Sequence, residues 1–500
     1  MLDKLSRLNP FRRESKTSSA GYSRAAWKRS FDAARVNRLT ADWATGFKSL
    51  NNSLHQDLAA LRQRSRHLVL NSDYAVKFLA MVKQNVVGAD GMRLSVHALQ
   101  PNGTLDEYDS KICTQGFNNW SKIGNCEVTG TLSFKDVLNL VVTHLARDGE
   151  ALVYKINGQG DWGFQLQLID PARLDEKFNL DLRNGNKIRM GVEVNSWGKP
   201  VAYHLIDQNI NDPVGRGAFG QTNKHVRVPA SDMMHLFIAQ SAEQLRGYPW
   251  MHTAMNRLNM LNGYEEAAVT SARISASAMG VILSPDGDAA ALADYDDRVS
   301  APEIVADPGS FPVLPPGYDV KEWMPDTKQA NYSDFVRATL RGLASGLNVS
   351  YHSLGNDLEN VNFSSIRAGT LEEREAWKAI QGWVIEHFCN PVYSDWLKMA
   401  LLRGRLANLP MSKFEKFNNP VWQPKRWPWV DPLKDIKAQE AAVTMGVKSV
   451  SDVIRETGRD PDEVWRELEK DITRLAPILA KLGQGKTAQM EVTNNVDQTN

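Results

Sequence analysis

Cysteine is nearly absent: Cys113, Cys126 and Cys389 are three residues in 500, with no CxxC pair and no His at a zinc-binding spacing. Disulfide or metal scaffolding is excluded on that count, and the usage fits a reducing compartment. No run of about 18 apolar residues is present, and no hydrophobic leader segment, so neither a membrane span nor a secretory signal is read and the chain is expected in the cytoplasm when made. The ten His residues form no HExxH and no GxSxG elbow occurs, which removes the common zinc and serine hydrolases. A strong charge of one sign is also missing. The formal net charge is +1, although residues 1–70 alone carry fourteen Lys or Arg against five Asp or Glu, leaving the rest of the chain acidic. A uniformly basic nucleic-acid clamp is thereby disfavoured, because tight phosphate binding needs clustered positive charge.

What is present reads as a multidomain soluble protein, α+β and mainly helical, with 42% hydrophobic and 23% charged residues. Residues 1–30 mix Pro, Gly and Ser with eight basic residues and read as a mobile arm, either solubilising or contacting an acidic surface. From Leu54 helical spacing runs to Gly88 and Gly91, in two helices that meet near Asn71. Ser133 is placed to cap the segment ending at Gly149. Short strands then follow to about residue 240, punctuated by Asp170-Pro171, Asn184-Gly185 and Gly198-Lys199-Pro200. A long helix over Met251–Ala272 ends in small residues and gives way to an acidic stretch in which residues 284–310 hold seven acids and one Arg. A second helix, "SDFVRATLRGLASGL", precedes the polar loop "GNDLENVNFSSIRAG" at Gly355–Gly369. Thr370 and Glu373 form a T-x-x-E capping box for the helix expected next, and Pro391 should kink or end it. A Trp-rich link, Trp422 to Trp429, leads to a charged helical unit whose Asp460-Pro461 marks a helix start, and the last residues look disordered.

Few motifs point to chemistry. "GRGAFG" at Gly215–Gly220 satisfies GxGxxG but lacks the flanking strand and helix that would aim a helix N-terminus at a pyrophosphate. "GQGKT" at Gly483–Thr487 ends like a Walker A, with Ala480 where its first Gly belongs. Asp148 and Glu150 in "RDGE" are either paired carboxylates for acid and base work or parts of a tight helix-to-strand turn. Trp422, Trp427 and Trp429 beside Lys425 and Arg426 either stack bases or pack a Trp-Pro link. No cofactor, no metal site and no enzyme activity are expected.

Eight phrases, in order, carry a family likeness: "LRQRSRHLVLNSDYAVKFLAMVKQNVVGADGMRL", "ARDGEALV", "LQLIDPARL", "GKPVAYHL", "RVPASDMMHLF", "QLRGYPW", "NFSSIRAGTLEEREAW" and "WVDPLKDIKA". Over about residues 25–460 the chain resembles the lambda-type portal proteins of tailed bacteriophages. The resemblance implies a phage portal fold of wing, stem, clip and crown, assembling into a ring with a central channel, a homododecamer in the family, at one capsid vertex. Double-stranded DNA is packaged and ejected through it. Mapped on this chain, it implies a basic arm at 1–30, a wing at 31–240 and a first stem helix at 241–280. The clip would follow at 281–327, the second stem helix at 328–349 and the tunnel loop at 350–364. Residues 365–430 would form a long kinked helix completing the wing, 431–480 the crown and 481–500 a disordered tail.

The same resemblance makes Asn356, Asp357, Glu359, Asn360 and Asn362 the DNA-facing residues of the tunnel loop, and Asp286, Asp288, Asp294, Asp296 and Asp297 the partner-facing acids of the clip. Its implied partners are further copies of the chain, the passing DNA, the terminase large subunit, the major capsid protein and scaffold, and neck or tail adaptor proteins, with no membrane. Acids around a ring would keep sliding barriers low where a ring of free Arg would grip phosphates. The implied location is the portal vertex of the virion, after assembly in the host cytoplasm. Other readings are a minor head protein, or a nucleic-acid-processing enzyme with an unrecognised site.

Overall fold

Leu54, Leu58, Ser65 and Leu68 fall three, four or seven apart and bury one stripe of the first helix, α1 (Leu50–Asn71). The computed structural model describes residues 48–206, 225–276, 280–283, 319–322, 332–359, 363–407, 409–427, 432–457, 459, 461 and 464–477. From Leu50 on, they belong to one compact unit. Ser72 is extended and separates α1 from α2 (Asp73–Val86), so the break falls beside Asn71 as the sequence predicts. After β1 (Arg93–Val96), Asp106 caps α3 (Glu107–Trp120). Ser133 and Asp136 exchange the two hydrogen bonds of a capping box at the start of α4 (Phe134–Asp148), and Gly149 ends that helix in the left-handed region at φ 90°.

The β region has two antiparallel sheets. β2 (Ala151–Asn157) lies between β3 (Phe164–Ile169) and β9 (Met233–Leu236). The other sheet is a five-stranded meander of β4 (Leu180–Asp181), β5 (Lys187–Arg189), β6 (Val192–Val194), β7 (Pro200–Ile206) and β8 (His225–Pro229). Leu152 and Met233 of the first sheet and Val192, Tyr203 and Leu205 of the second share one apolar cluster. "GRGAFG" and "GQGKT" lie outside the described residues.

Beyond the sheets, α5 (Met255–Ala276) leads to β10 (Gly280–Leu283), which pairs antiparallel with β11 (Asp319–Glu322), and the chain returns through α6 (Tyr332–Leu347). α5 and α6 run antiparallel: Thr253 Oγ1, just ahead of α5, donates to the Gly346 carbonyl (3.2 Å), and farther along Tyr264 stacks on Tyr332. α5 is buried at Met255, Leu258 and Leu261 but exposed at Met260 (73%) and Val269 (66%). A short α7 (Tyr351–Gly355) follows, then α8 (Phe363–Val384).

The kink expected at Pro391 takes the form of a π-helical turn, Ile385–Cys389, between α8 and α9 (Asn390–Leu402). Asn390 N donates to the Ile385 carbonyl five residues back, and His387 Nδ1 bonds the Trp383 carbonyl (3.0 Å). The turn lies directly ahead of the proline, which has no N–H to give. α10 (Phe414–Phe417) and β12 (Pro420–Gln423) complete the central core. β12 pairs antiparallel with β1, Leu94 opposite Trp422. The Trp-rich link is therefore partly a strand, and it is packed: Trp422 Nε1 donates to Asn390 Oδ1 (2.9 Å) and Trp427 Nε1 to Asn85 Oδ1 (3.0 Å). Trp429 lies outside the described residues. The core it closes holds Phe117, Trp120, Phe134, Tyr393 and Trp396 in mutual ring contact. At the C-terminal side are α11 (Pro432–Thr444), α12 (Val450–Glu456) and helical residues 464–477.

Candidate functional site

The polar loop is built on the end of α6. Leu340, Leu343, Ala344 and Leu347 bury one face of that helix, which leaves Arg337 and Arg341, four apart, on another. Asn348 takes a positive φ of 53° and turns the chain. Ser350 then caps α7, accepting from Ser353 N. Asn356 adopts the left-handed conformation (φ 50°, ψ 27°), which its short amide side chain tolerates.

Asp357 is the hub of the loop. Its Oδ2 accepts from the Tyr351 hydroxyl (2.5 Å) and its Oδ1 from the backbone N–H of Glu359 (3.0 Å). Arg337 Nε lies 3.2 Å from the same Oδ2, while Arg337 Nη2 donates to Glu359 Oε2 at 2.7 Å. His352 Nδ1 donates to the Asp357 carbonyl (3.0 Å), and Lys77 of α2 donates to Asn356 Oδ1 (3.1 Å). The Arg341 guanidinium sits 5.5 Å from the centre of the Tyr351 ring. The Tyr351 hydroxyl, the Glu359 amide and Arg337 hold the Asp357 carboxyl below its ordinary range, and Asp357 in turn raises the Arg337 guanidinium.

The sequence pattern predicts an acidic loop with few ties; residues 356–359 are tied to α6, α7 and α2. Two of the five loop residues singled out, Asp357 and Glu359, meet on one guanidinium, and Asn356 faces Lys77. Asn360 and Asn362 lie outside the described residues, as do Asp286, Asp288, Asp294, Asp296 and Asp297. Arg337, Arg341, Tyr351 and Lys77 were not singled out. The only signal for them was the i, i+4 spacing of the two arginines on a helix whose apolar stripe lay elsewhere.

The capping box also needs correcting. α8 begins at Phe363, so Thr370 sits inside the helix and caps nothing. Glu373 serves the loop's other end: its Oε2 accepts from Ser350 N (3.3 Å) and Ser353 Oγ (3.0 Å), and its Oε1 from Trp377 Nε1 (3.1 Å). Arg367 of the same helix pairs with Asp435 of α11.

Asp148 and Glu150 turn out to be fully buried. The turn between them is real, but both side chains are consumed by ion pairs. Asp148 is held by Arg66 Nε (2.7 Å) and Arg147 Nη2 (2.7 Å). Glu150 accepts from Arg246 (2.5 and 2.9 Å), Arg62 (3.1 Å), His235 Nε2 (2.9 Å) and the backbone N–H of Gly247 (3.1 Å). Burial alone would raise the Glu150 carboxyl, but Arg246, with the hydrogen bond from His235, outweighs it and holds the group well below its usual range. Both carboxylates thus serve as buried counter-ions to the surrounding arginines. Two glycines let the segments meet: a Cβ on Gly149 would lie 2.1 Å from the Tyr248 carbonyl carbon, and one on Gly247 would lie 2.0 Å from the Gly149 oxygen. "RDGE" and "RGYPW" are two halves of one joint.

A helical pair with exposed apolar residues, a polar loop at its foot and a buried ionic joint form a structural assembly, and comparison with known proteins identifies its class. The family described as phage portal protein, lambda family, matches residues 36–381, most of the chain, and places it among the phage portal proteins. The chain belongs to their lambda family. A probable portal protein of Halomonas phage phiHAP-1 is 35% identical over 479 residues, 94% of this chain and 91% of the relative. The portal protein of Escherichia phage N15 is 22% identical, covering 85% and 86%, and portal protein B of Escherichia phage lambda is 21% identical, covering 85% of each. A solved chain from the neck of a native GTA particle computed with C12 symmetry shares 11% identity over 81% of this chain and 94% of its own, at a TM-score of 0.40, a likeness too loose to inform any residue here. The role is that of a portal protein at the capsid vertex, in a family of structural virion components. No helix among the described residues is long and apolar enough to cross a membrane.

Proposed function

We propose that copies of this chain close into a ring whose channel passes double-stranded DNA during packaging and ejection, with the polar loop of residues 350–364 facing that DNA. The observation that carries the reading is the α5–α6 pair: within one chain it leaves Met260, Val269 and Phe335 half or more exposed, apolar groups that a neighbouring copy would cover. In this arrangement α5 and α6 are the stem and residues 281–327 the clip. The clip acids Asp286, Asp288, Asp294, Asp296 and Asp297 would present negative potential first to the terminase large subunit and later to neck or tail adaptor proteins. The major capsid protein and scaffold would surround the ring, and residues 431–480 would form its crown. The chain itself does no chemistry; a separate motor supplies the work.

The loop provides the test. Asp357→Lys with Glu359→Lys should leave ring assembly intact, because Glu359 is largely exposed and the pair contributes nothing to the apolar core. In-vitro packaging with proheads carrying the double variant should show slowed filling or altered DNA retention, since each subunit would then offer phosphate-binding charge. Normal filling and retention would return the loop to an ordinary solvated connector.

A further inference from the structure

We propose that Arg337 is a binding site for a DNA backbone phosphate, which the chain keeps occupied with its own carboxylates until DNA arrives. The proposal rests on the channel-facing reading of residues 350–364. The Arg337 guanidinium engages two different acids at once, Asp357 through Nε and Glu359 through Nη2. Guanidinium forks bind carboxylate and phosphate oxygens in the same planar geometry. The Glu359 oxygen hydrogen-bonded to Nη2 therefore occupies a position that a phosphodiester oxygen can take.

Glu359 is the replaceable occupant. Glu359 is three-quarters exposed and Arg337 about one-third, and exposed ion pairs of this kind contribute little. The anchoring of the two acids also differs. The Asp357 Oδ2 against Arg337 is also held by the Tyr351 hydroxyl, so Asp357 stays in place, whereas a phosphate would displace the Glu359 side chain from Nη2 and take from it the one partner described for it. Exchange would thus free the loop tip without dismantling its base. Lys77 on Asn356 and Arg341 over the Tyr351 ring add two further cations to the same loop, and Arg337 is the one paired with the loop's carboxylates.

Such a site suits a conduit better than a bare arginine. A free guanidinium repeated around a channel would hold DNA in deep wells, because each phosphate contact releases counterions and adds affinity. Where each phosphate must displace an internal anion, binding exchanges one ion pair for another. The net gain per contact is then small, and DNA can pass from subunit to subunit.

The measurement is fluorescence anisotropy of a short labelled duplex with assembled full-length protein across a salt series. Asp357→Asn with Glu359→Gln should bind the duplex about tenfold more tightly at low salt, with a steeper fall in log affinity against log salt, as expected for an added phosphate contact. Adding Arg337→Gln should cancel the gain. If that triple variant does not assemble, Arg337→Lys in the same background keeps the charge but not the fork and should lose most of it. No gain in the double variant, or a gain that survives either Arg337 change, overturns the proposal. If packaging responds to the lysine substitutions but duplex affinity does not respond to neutralisation, only the Arg337 exchange fails; if neither responds, the channel-facing reading fails with it.

Discussion

At the scale of single residues, Glu150 shows how a group that reads as catalytic can be structural. It is surrounded by Arg62, Arg246 and His235 and has no exposure, so its charge is needed to neutralise two buried guanidinium groups. Burying an ion pair is a weak source of stability, but removing one partner leaves the other charge uncompensated. Glu150→Gln is therefore expected to lower the unfolding free energy by about 3–5 kcal/mol in urea titration. Glu372→Gln, on the exposed face of α8, should change it by less than about 0.5 kcal/mol. A cost for Glu150→Gln as small as the surface control would mean that the arginines find other partners.

At the scale of elements, the five-stranded sheet is fastened by one acid. Glu193 on β6 accepts from Arg227 of β8 (2.8 and 3.2 Å) and from Asn186 just before β5 (2.8 Å), and lies 3.2 Å from His204 of β7. The hydrogen bonds from Arg227, with those from Asn186 and His204, hold its carboxyl down to about 2 against the rise that burial would cause. A carboxyl depressed in the folded state stabilises fully above its ordinary value of 4.5 and loses that contribution as pH falls towards 2. Glu193→Gln should accordingly flatten the loss of stability between those two values, as read from urea midpoints across a pH series. An acid limb identical to the wild type would show that the clamp contributes nothing to the sheet.

At the scale of the whole molecule, the apolar residues left uncovered on the α5–α6 pair argue for assembly. Because Met260 and Val269 are exposed within one chain, Met260→Ser with Val269→Ser should leave the circular dichroism spectrum of the subunit unchanged. Light scattering should then find smaller particles at concentrations where the wild type remains assembled, since a ring repeats the same heterologous contact at every subunit boundary. Undiminished rings would move the interface elsewhere. Helical residues 464–477 carry a second exposed stripe of Trp465, Leu468, Ile472 and Leu475, spaced three and four apart, so the loss from the α5–α6 pair alone is expected to be partial.

Local features were legible in the amino-acid order alone: the break beside Asn71, the Ser133 cap, the turn at Gly149, the run of short strands, and the two helices that flank the acidic stretch. Each depends on residues within about one turn or one hairpin, where propensity and capping act directly. The family likeness was legible too, because eight phrases in order survive without knowledge of any contact. Partners, by contrast, came from the fold. Thr370 reads as a cap until the chain ahead of it proves helical from Phe363, and "RDGE" reads as either a carboxylate pair or a tight turn, with no sign of the ion pairs made when Arg246, 96 residues away, is placed on Glu150. Likewise the loop acids read as free charge until α6 brings Arg337 to them, 22 residues from Glu359 in sequence. Long-range pairing of charges leaves no periodic trace in the sequence, since one Arg and one Glu meet at a point while a helix face repeats, and that is why the joint and the loop contacts emerge only once the chain is folded.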